Sequence, residues 1–262
     1  MITPNGRNDL MKTDSAQFYR DRIWETLNRV GRPDSRFHWD FSSFIADFEG
    51  SDRATARILE LAAWQESSRV FITPDNSTEL LRREAIRAGK TLLCTTYGIR
   101  RGFLQLDPAT VPADEVSYAA TLDGLDRYAA PVTLAELRGT AALRLLVTGG
   151  SAISRNGIRV GKGHGYFDLE WAMLSEIGLT TTRSEIVDVV HDDQVIDDVL
   201  RGERHDVPVD WIVTPTRAIH VEGLKRPVGR VYWDLIPGTE HENLPPINEL
   251  RAAATEAKGS GA

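Results

Sequence analysis

The apolar stretch Leu143-Arg-Leu-Leu-Val147, the glycine-rich segment 149–165 and the stripe Phe167, Trp171, Leu174 and Ile177 follow one another without a break. An apolar run bounded by turn residues reads as a buried strand, and apolar residues three and four apart read as one helix face. A strand, a glycine loop and a helix in that order belong to a parallel sheet covered on both faces. The rest of the chain alternates in the same way. Ile23, Trp24, Leu27 and Val30 mark a helix over 18–30, stopped by Gly31 and Pro33. A second helix follows the cap candidate Asp52, with Ala54, Ile58, Leu61 and Ala62 along one face, and leads into strand 70–72. Residues 77–88 read as a helix closed by Gly89, ahead of the strand Thr91-Leu-Leu-Cys94. Further strands are expected over 185–190, 211–213 and 218–221, with a turn at Thr214-Pro215. The turn-rich stretch 107–131 reads as a long connection carrying short elements.

At 262 residues, with 41% hydrophobic and 26% charged residues, the chain has the balance of a globular protein with one well-developed core. One α/β domain is expected over 16–240, with flexible tails at 1–15 and 241–262. A net charge of −7 disfavours nucleic acid and anionic lipid as partners, while leaving room for a local basic pocket. The lone Cys94 excludes an intrachain disulfide framework and a multi-cysteine zinc site. No apolar run approaches the ~18 residues of a membrane span, and the first fifteen residues carry no apolar leader core, so a cytoplasmic location is expected.

The segment Asn156 to Asp168 packs four glycines with Arg159 and Lys162 into thirteen residues just before a helix. Glycines let backbone N–H groups approach oxygen anions, a helix N-terminus adds a favourable dipole, and the two cations neutralise charge. Such a loop suits polyphosphate, with Asp168 placed to hold Mg²⁺; the alternative is a surface turn whose glycines only permit a tight path. Gly161, Gly163 and Gly165 give G-x-G-x-G, not the G-x-G-x-x-G of dinucleotide folds, and neither this loop nor Ala88-Gly89-Lys90-Thr91 has P-loop spacing.

Gly157-x-Arg159-Val160-Gly161-x-Gly163-x-Gly165-Tyr166-Phe167-Asp168 resembles the signature of 5-formyltetrahydrofolate cyclo-ligases, also called methenyltetrahydrofolate synthetases. Gln194-Val195, the run His205-Asp206 to Asp210 and Thr214, and Asp75 to Thr78 ahead of Gly89-Lys90 are similar to further segments of that family, so the resemblance spans 19–223. It implies a three-layer αβα sandwich with a mostly parallel sheet, of the type shared by sugar-phosphate isomerases and CoA transferases. It also implies an ATP- and Mg²⁺-dependent reaction in which the formyl oxygen of 5-formyltetrahydrofolate attacks the γ-phosphate, N10 closes the ring and phosphate leaves, giving 5,10-methenyltetrahydrofolate. Carried over residue by residue, Arg159, Lys162 and Tyr166 become catalytic candidates, and Gly161, Gly163, His164 and Gly165 nucleotide contacts. Asp168 becomes the metal ligand, and Asp75 with Tyr166 meets the folate; as a turn residue Asp75 equally suits a helix cap. A basic residue of the N-terminal helix belongs on the nucleotide, either Arg20 or Arg22, and Arg22 is chosen because it adjoins Ile23. Phe167 is expected in the core.

Leu169, His164 and Thr95 depart from the parent pattern, and Arg159-Val-Gly-Lys-Gly-His-Gly-Tyr-Phe-Asp-Leu-Glu170 is closer to a divergent cyclo-ligase-like subgroup. Two alternatives therefore stand beside the parent activity: a relative that uses ATP to activate a different amide or formamide-type metabolite, and a non-catalytic nucleotide- or folate-binding protein. The expected partner is a small molecule, with the chain a monomer or homodimer. His191-Asp192-Asp193 and His205-Asp206 read as solvated loops rather than metal ligands, and Ser151 and Ser154 lack a nucleophile elbow.

Overall fold

The structure is a computed structural model that describes residues 6–224, 226 and 229–259. Eleven strands follow in chain order: β1 (Arg69–Ile72), β2 (Thr91–Thr95), β3 (Phe103–Leu106), β4 (Ala130–Val132), β5 (Leu145–Gly149), β6 (Ala152–Ser154), β7 (Arg159–Val160), β8 (Glu185–Val189), β9 (Val195–Ile196), β10 (Trp211–Val213) and β11 (Ala218–His220). Eight of them form one sheet in the order β11-β10-β8-β5-β1-β2-β3-β4. Its five central strands, β10 to β2, are mutually parallel, while β11 at one edge and β3 and β4 at the other run antiparallel. The helices are α1 (Gly6–Val30), α2 (Ser51–Leu59), α3 (Ala62–Gln65), α4 (Glu79–Arg87), α5 (Val116–Ala119), α6 (Leu122–Tyr128), α7 (Leu134–Leu137), α8 (Tyr166–Glu176) and α9 (Pro245–Gly259).

Alternate residues of each central strand enter opposite cores, as the two-residue period of a strand requires. Phe71, Leu93, Leu146, Ile186 and Ile212 pack with residues of α7, α8 and α9. Ile72, Leu92, Cys94, Val147, Val187 and Val213 pack with residues of α2 to α6. The result is the three-layer α/β sandwich expected from the alternation. Cys94 lies fully inside the second core, and burial pushes its thiol up to about 12, leaving a small inert apolar residue.

The segment 149–165 is more ordered than a loop. It contains β6 and β7, which join β9 in a separate three-stranded sheet. Ala152, Val160 and Ile196 of that sheet pack on Ile23 and Leu27 of α1 and on Phe41 and Phe44, which fastens the N-terminal helix over the glycine segment. The connection 107–131 carries short helices, as expected, but its end supplies β4.

Helices extend into both segments expected as tails. Residues 1–5 and 260–262 lie outside the described ones, yet α1 already begins at Gly6, ahead of the first apolar stripe. At the other end, Leu244, Ile247 and Leu250 are buried in the α8 side of the core, at the start and along one face of α9. The Glu249 carboxylate accepts the backbone N–H groups of Leu134 (3.0 Å) and Ala135 (2.6 Å), satisfying donors at the start of α7. Helix α2 likewise starts one residue before the expected cap, at Ser51, with Gly50 at φ 82° preceding it.

Candidate functional site

Chain order reverses across the sheet at β1: the chain leaves β1 for β2 on one side and returns as β5 on the other. Open α/β sheets offer a crevice at such a point, beyond the carboxyl ends of the strands. Here Thr73, Pro74 and Asp75 follow β1, Gly149 ends β5, and a cavity of about 280 Å³ opens between them. Asp75 closes the crevice floor, its Oδ2 accepting from the Thr73 hydroxyl (2.6 Å) and the Gly149 N–H (3.1 Å). Fully buried Arg82 donates to the carbonyls of Thr73 (2.7 Å) and Asp75 (2.9 Å) and fixes that turn from behind.

The glycine segment forms the opposite wall. Gly161, Lys162, Gly163, His164, Gly165, Tyr166 and Asp168 all line the cavity, as do Asp75 and Arg159. Gly165 precedes α8 at φ 66°, a left-handed conformation that glycine adopts without strain, and this turns the helix N-terminus onto the cavity. A Cβ at Gly161 or Gly165 would meet nothing within 4 Å, so the wall is open where a ligand would approach it.

Arg159 comes from β7 and is nearly buried. Its Nη2 lies 3.4 Å from Asp168 Oδ2, its Nη1 3.4 Å from the Gly149 carbonyl, and its guanidinium 4.6 Å from the Phe167 ring centre. Lys162 donates to the Ser43 carbonyl (3.3 Å) and stands 5.2 Å over the Tyr97 ring. Burial pulls its ammonium below the ordinary lysine range, against the opposing pull of Asp75, Glu170 and Glu240. Phe167 is buried in the core as expected.

Arg22 is exposed on α1 and does not line the cavity. Arg20 lines it instead, its Nε–H donating to the Gly161 carbonyl (2.8 Å) and its guanidinium lying beside Gly163. Arg20 precedes the buried Ile23 and Leu27 by three and seven positions, which places it on their helix face; Arg22, adjacent to Ile23 in sequence, points about 100° away.

Several site groups were not singled out from sequence. Glu170 lines the cavity at 2% exposure and accepts from the Thr95 hydroxyl. Burial drives its carboxyl up to about 8, the Thr95 hydroxyl opposing. Asp188 on β8 is fully buried with no side-chain hydrogen-bond partner among the described residues, and burial raises it to about 7 against the pull of Arg159. Asp206, which the sequence placed in a solvated loop, instead lies half-buried beside Asp168 in the cavity wall, where burial and Asp168 raise it. The detectable signal for Glu170 is a charge set between Leu169 and Trp171 in a helix that is otherwise apolar from 169 to 174.

Beyond the cavity mouth, residues 236–244 form a strap. Glu240 Oε2 accepts from the Tyr166 hydroxyl (2.7 Å), Glu240 Oε1 pairs with His164 Nδ1, and His241 Nε2 bonds the His164 carbonyl (2.6 Å). Burial and the Glu240 contact raise the Tyr166 hydroxyl above its ordinary range, so it serves as a donor, not as a base.

The sequence profile of the 5-formyltetrahydrofolate cyclo-ligase family matches residues 12–215, a span that holds the glycine wall, Asp75, Arg20 and Glu170 together. The chain belongs to this family. Among curated relatives, the human methenyltetrahydrofolate synthase domain-containing protein is 34% identical over 250 residues, covering 93% of this chain and 63% of its own length. The zebrafish (Danio rerio) protein of the same name is 32% identical over 218 residues, covering 81% of this chain and 56% of its own length. The chain thus spans about three fifths of the curated relatives it matches. The solved 5,10-methenyltetrahydrofolate synthetase of Aquifex aeolicus aligns with 80% of this chain and 94% of its own at 16% identity and a TM-score of 0.47, too loose a superposition for residue-level comparison. The family is one of cyclo-ligase enzymes of folate metabolism, and its matched segment ends before the strap that holds Tyr166. Among the described residues no helix is long and apolar enough to cross a membrane.

Proposed function

We propose that the chain is an ATP- and Mg²⁺-dependent cyclo-ligase that converts 5-formyltetrahydrofolate to 5,10-methenyltetrahydrofolate by phosphoryl activation of the formyl oxygen. The observation that carries this reading is the convergence of Arg20, Arg159, Lys162 and the glycine wall on one cavity at the carboxyl end of a parallel sheet. Phosphoryl transfer spreads negative charge over the moving group, so fixed cations and backbone donors supply most of the catalysis.

The donor set suits a magnesium nucleotide. Among the described residues no three His, Cys, Asp or Glu side chains gather as a metal cage. A magnesium ion wrapped in phosphates and water needs one or two carboxylates, and Asp168 at the cavity wall would hold it, with Asp206 beside it. MgATP, when bound, supplies the phosphoryl group that turns a formyl oxygen into a leaving group. Arg159 and Lys162 would then offset charge on that group, Gly161, Gly163, His164 and Gly165 let the wall approach it, Tyr166, its proton held by Glu240, flanks the acceptor, and Asp75 faces the folate from the crevice floor. Asp168 also holds the site together, its Oδ1 accepting from the Val207 N–H (2.8 Å) while Oδ2 faces Arg159.

The presence of Glu170 inside this cavity favours a second reading, in which the same phosphoryl chemistry serves a different amide or formamide-type metabolite. Incubation with MgATP and 5-formyltetrahydrofolate tests the first: ADP, phosphate and an absorbance near ~360 nm, the property of the conjugated amidinium product, are expected. Phosphate release with other amides but none with the folate transfers the assignment to the second reading.

A further inference from the structure

Asp188 stands where the sheet calls for an aliphatic residue. Ile186 and Val190, two positions before and after it, are buried in the apolar core beneath α8. By the two-residue period of a strand the position between them belongs to the same face, yet it carries a carboxyl with no exposure to solvent. Register pairs Asp188 with Thr148 on β5, directly before Gly149 and Gly150. A Cβ at Gly150 would lie 2.9 Å from Asp188 Oδ2, so the chain passes close over the carboxyl and a glycine leaves it room. A buried acid without a partner costs free energy that an isoleucine or valine at this place would not.

A second buried group is also short of partners. The Arg159 side chain is 8% exposed, and its Nε has no hydrogen-bond acceptor among the described residues. Its Nη1 and Nη2 make only long contacts, 3.4 Å each, to the Gly149 carbonyl and to Asp168. The charged groups that act on Asp188 are this guanidinium, which favours its anion, and Asp75, which opposes it. Among the described residues four carboxyls face Arg159: Asp168, Glu170, Asp188 and Asp206. Three of them are engaged elsewhere. Glu170 accepts from the Thr95 hydroxyl, Asp206 from the Glu203 N–H and Asp168 from the Val207 N–H. Asp188 has no partner beyond its own strand.

We propose that Asp188 is the positioning residue of Arg159: it is the counter-charge that keeps the guanidinium in place at the cavity when Asp168 is engaged by a magnesium-bound phosphate. With Asp168 turned to a cation, Arg159 either follows that carboxylate or is held from behind. Removing one partner of a buried ion pair leaves the other charge desolvated and alone, and a second buried carboxylate beside it avoids that penalty. Asp188 therefore lets Asp168 exchange one cation for another without loss of the guanidinium. This inference rests on the reading that Asp168 holds magnesium and Arg159 meets the transferred group.

Calorimetric titration with ADP over a range of Mg²⁺ concentrations tests it in the wild type, Asp188→Asn, Arg159→Ala and the double variant. Asp188→Asn is expected to raise the Mg²⁺ concentration for half-saturation about 10-fold, because Arg159 then keeps Asp168 for itself, and to leave ADP binding without Mg²⁺ within about two-fold. In turnover, kcat falls about 10-fold while KM for the folate stays within about two-fold. In the Arg159→Ala background the same substitution changes the Mg²⁺ requirement no further, since its effect passes through the guanidinium. Asp188→Val, which matches the neighbours Ile186 and Val190, is expected to behave like Asp188→Asn and decides the question if that variant does not fold. An unchanged Mg²⁺ requirement in these variants, or an equal shift with and without Arg159, overturns the inference, while MgADP binding by the wild type leaves the proposed activity standing. A wild type that does not bind MgADP overturns that activity, and this inference with it.

Discussion

Arg20 and Gly161 lie 141 positions apart, yet the Arg20 Nε–H donates to the Gly161 carbonyl across 2.8 Å. That bond ties the N-terminal helix to the glycine wall and brings a third cation to the cavity. Arg20→Ala is expected to weaken MgATP binding by about 10-fold or more, the equivalent of one charge-assisted hydrogen bond of about 1.5–3 kcal/mol. Arg22→Ala, on the exposed side of the same helix, leaves binding unchanged. Isothermal titration of both variants separates them, and equal losses would refute the placement of Arg20.

Glu170 and Asp188 set a pH dependence of stability. In the unfolded chain both carboxyls titrate near about 4, whereas in the folded protein burial raises them to about 8 and about 7. Between those limits the native state binds protons that the unfolded state has released. Their contribution is therefore complete below about pH 4 and is lost as pH rises through about 7 and 8. Thermal melts are expected to show a higher midpoint at about pH 5.5 than at about pH 8.5, with a smaller difference in Glu170→Gln and in Asp188→Asn. A midpoint that rises over this interval, steeper still in the variants, contradicts the assignment.

Asp168 serves two neighbours at once, Arg159 and the Val207 N–H. Asp168→Asn removes the charge that faces Arg159 while keeping an oxygen for the backbone, and turnover is expected to fall about 100-fold or more. Chelation by EDTA should likewise stop phosphate release from the wild type. Full activity of the variant, or turnover in EDTA, argues against Asp168 as the metal-holding carboxylate.

Ile247, fully buried in α9, makes the C-terminal helix part of the core. Ile247→Ala is expected to cost about 2–5 kcal/mol, as loss of a buried aliphatic side chain does. An unchanged denaturant midpoint would show instead that the segment is detachable.

The central sheet was legible because its strands are short apolar runs separated by strong punctuation, and the glycine wall because repeated glycines next to cations are rare without a conformational reason. Helix α9 was hidden by composition: Ala252 to Ala254 and the Gly259-Ser-Gly end mask the spacing of Leu244, Ile247 and Leu250. The choice of Arg22 over Arg20 came from adjacency in sequence, where three- and seven-residue offsets carry the spatial information. Glu170 and Asp188 could not be valued from sequence, since a carboxyl acquires meaning only from what surrounds it once buried. The pairing of Glu240 with Tyr166 joins positions 74 residues apart across a segment that lacks periodicity.

Because Glu240 grips both His164 and Tyr166, a fragment trimmed at residue 215 would retain every glycine of the wall and still lose the clasp on its entrance. The strap at the cavity mouth thus comes from polypeptide beyond the profile match, so exchanging that short piece offers a way to alter the surroundings of His164 and Tyr166 while leaving the glycine wall in place.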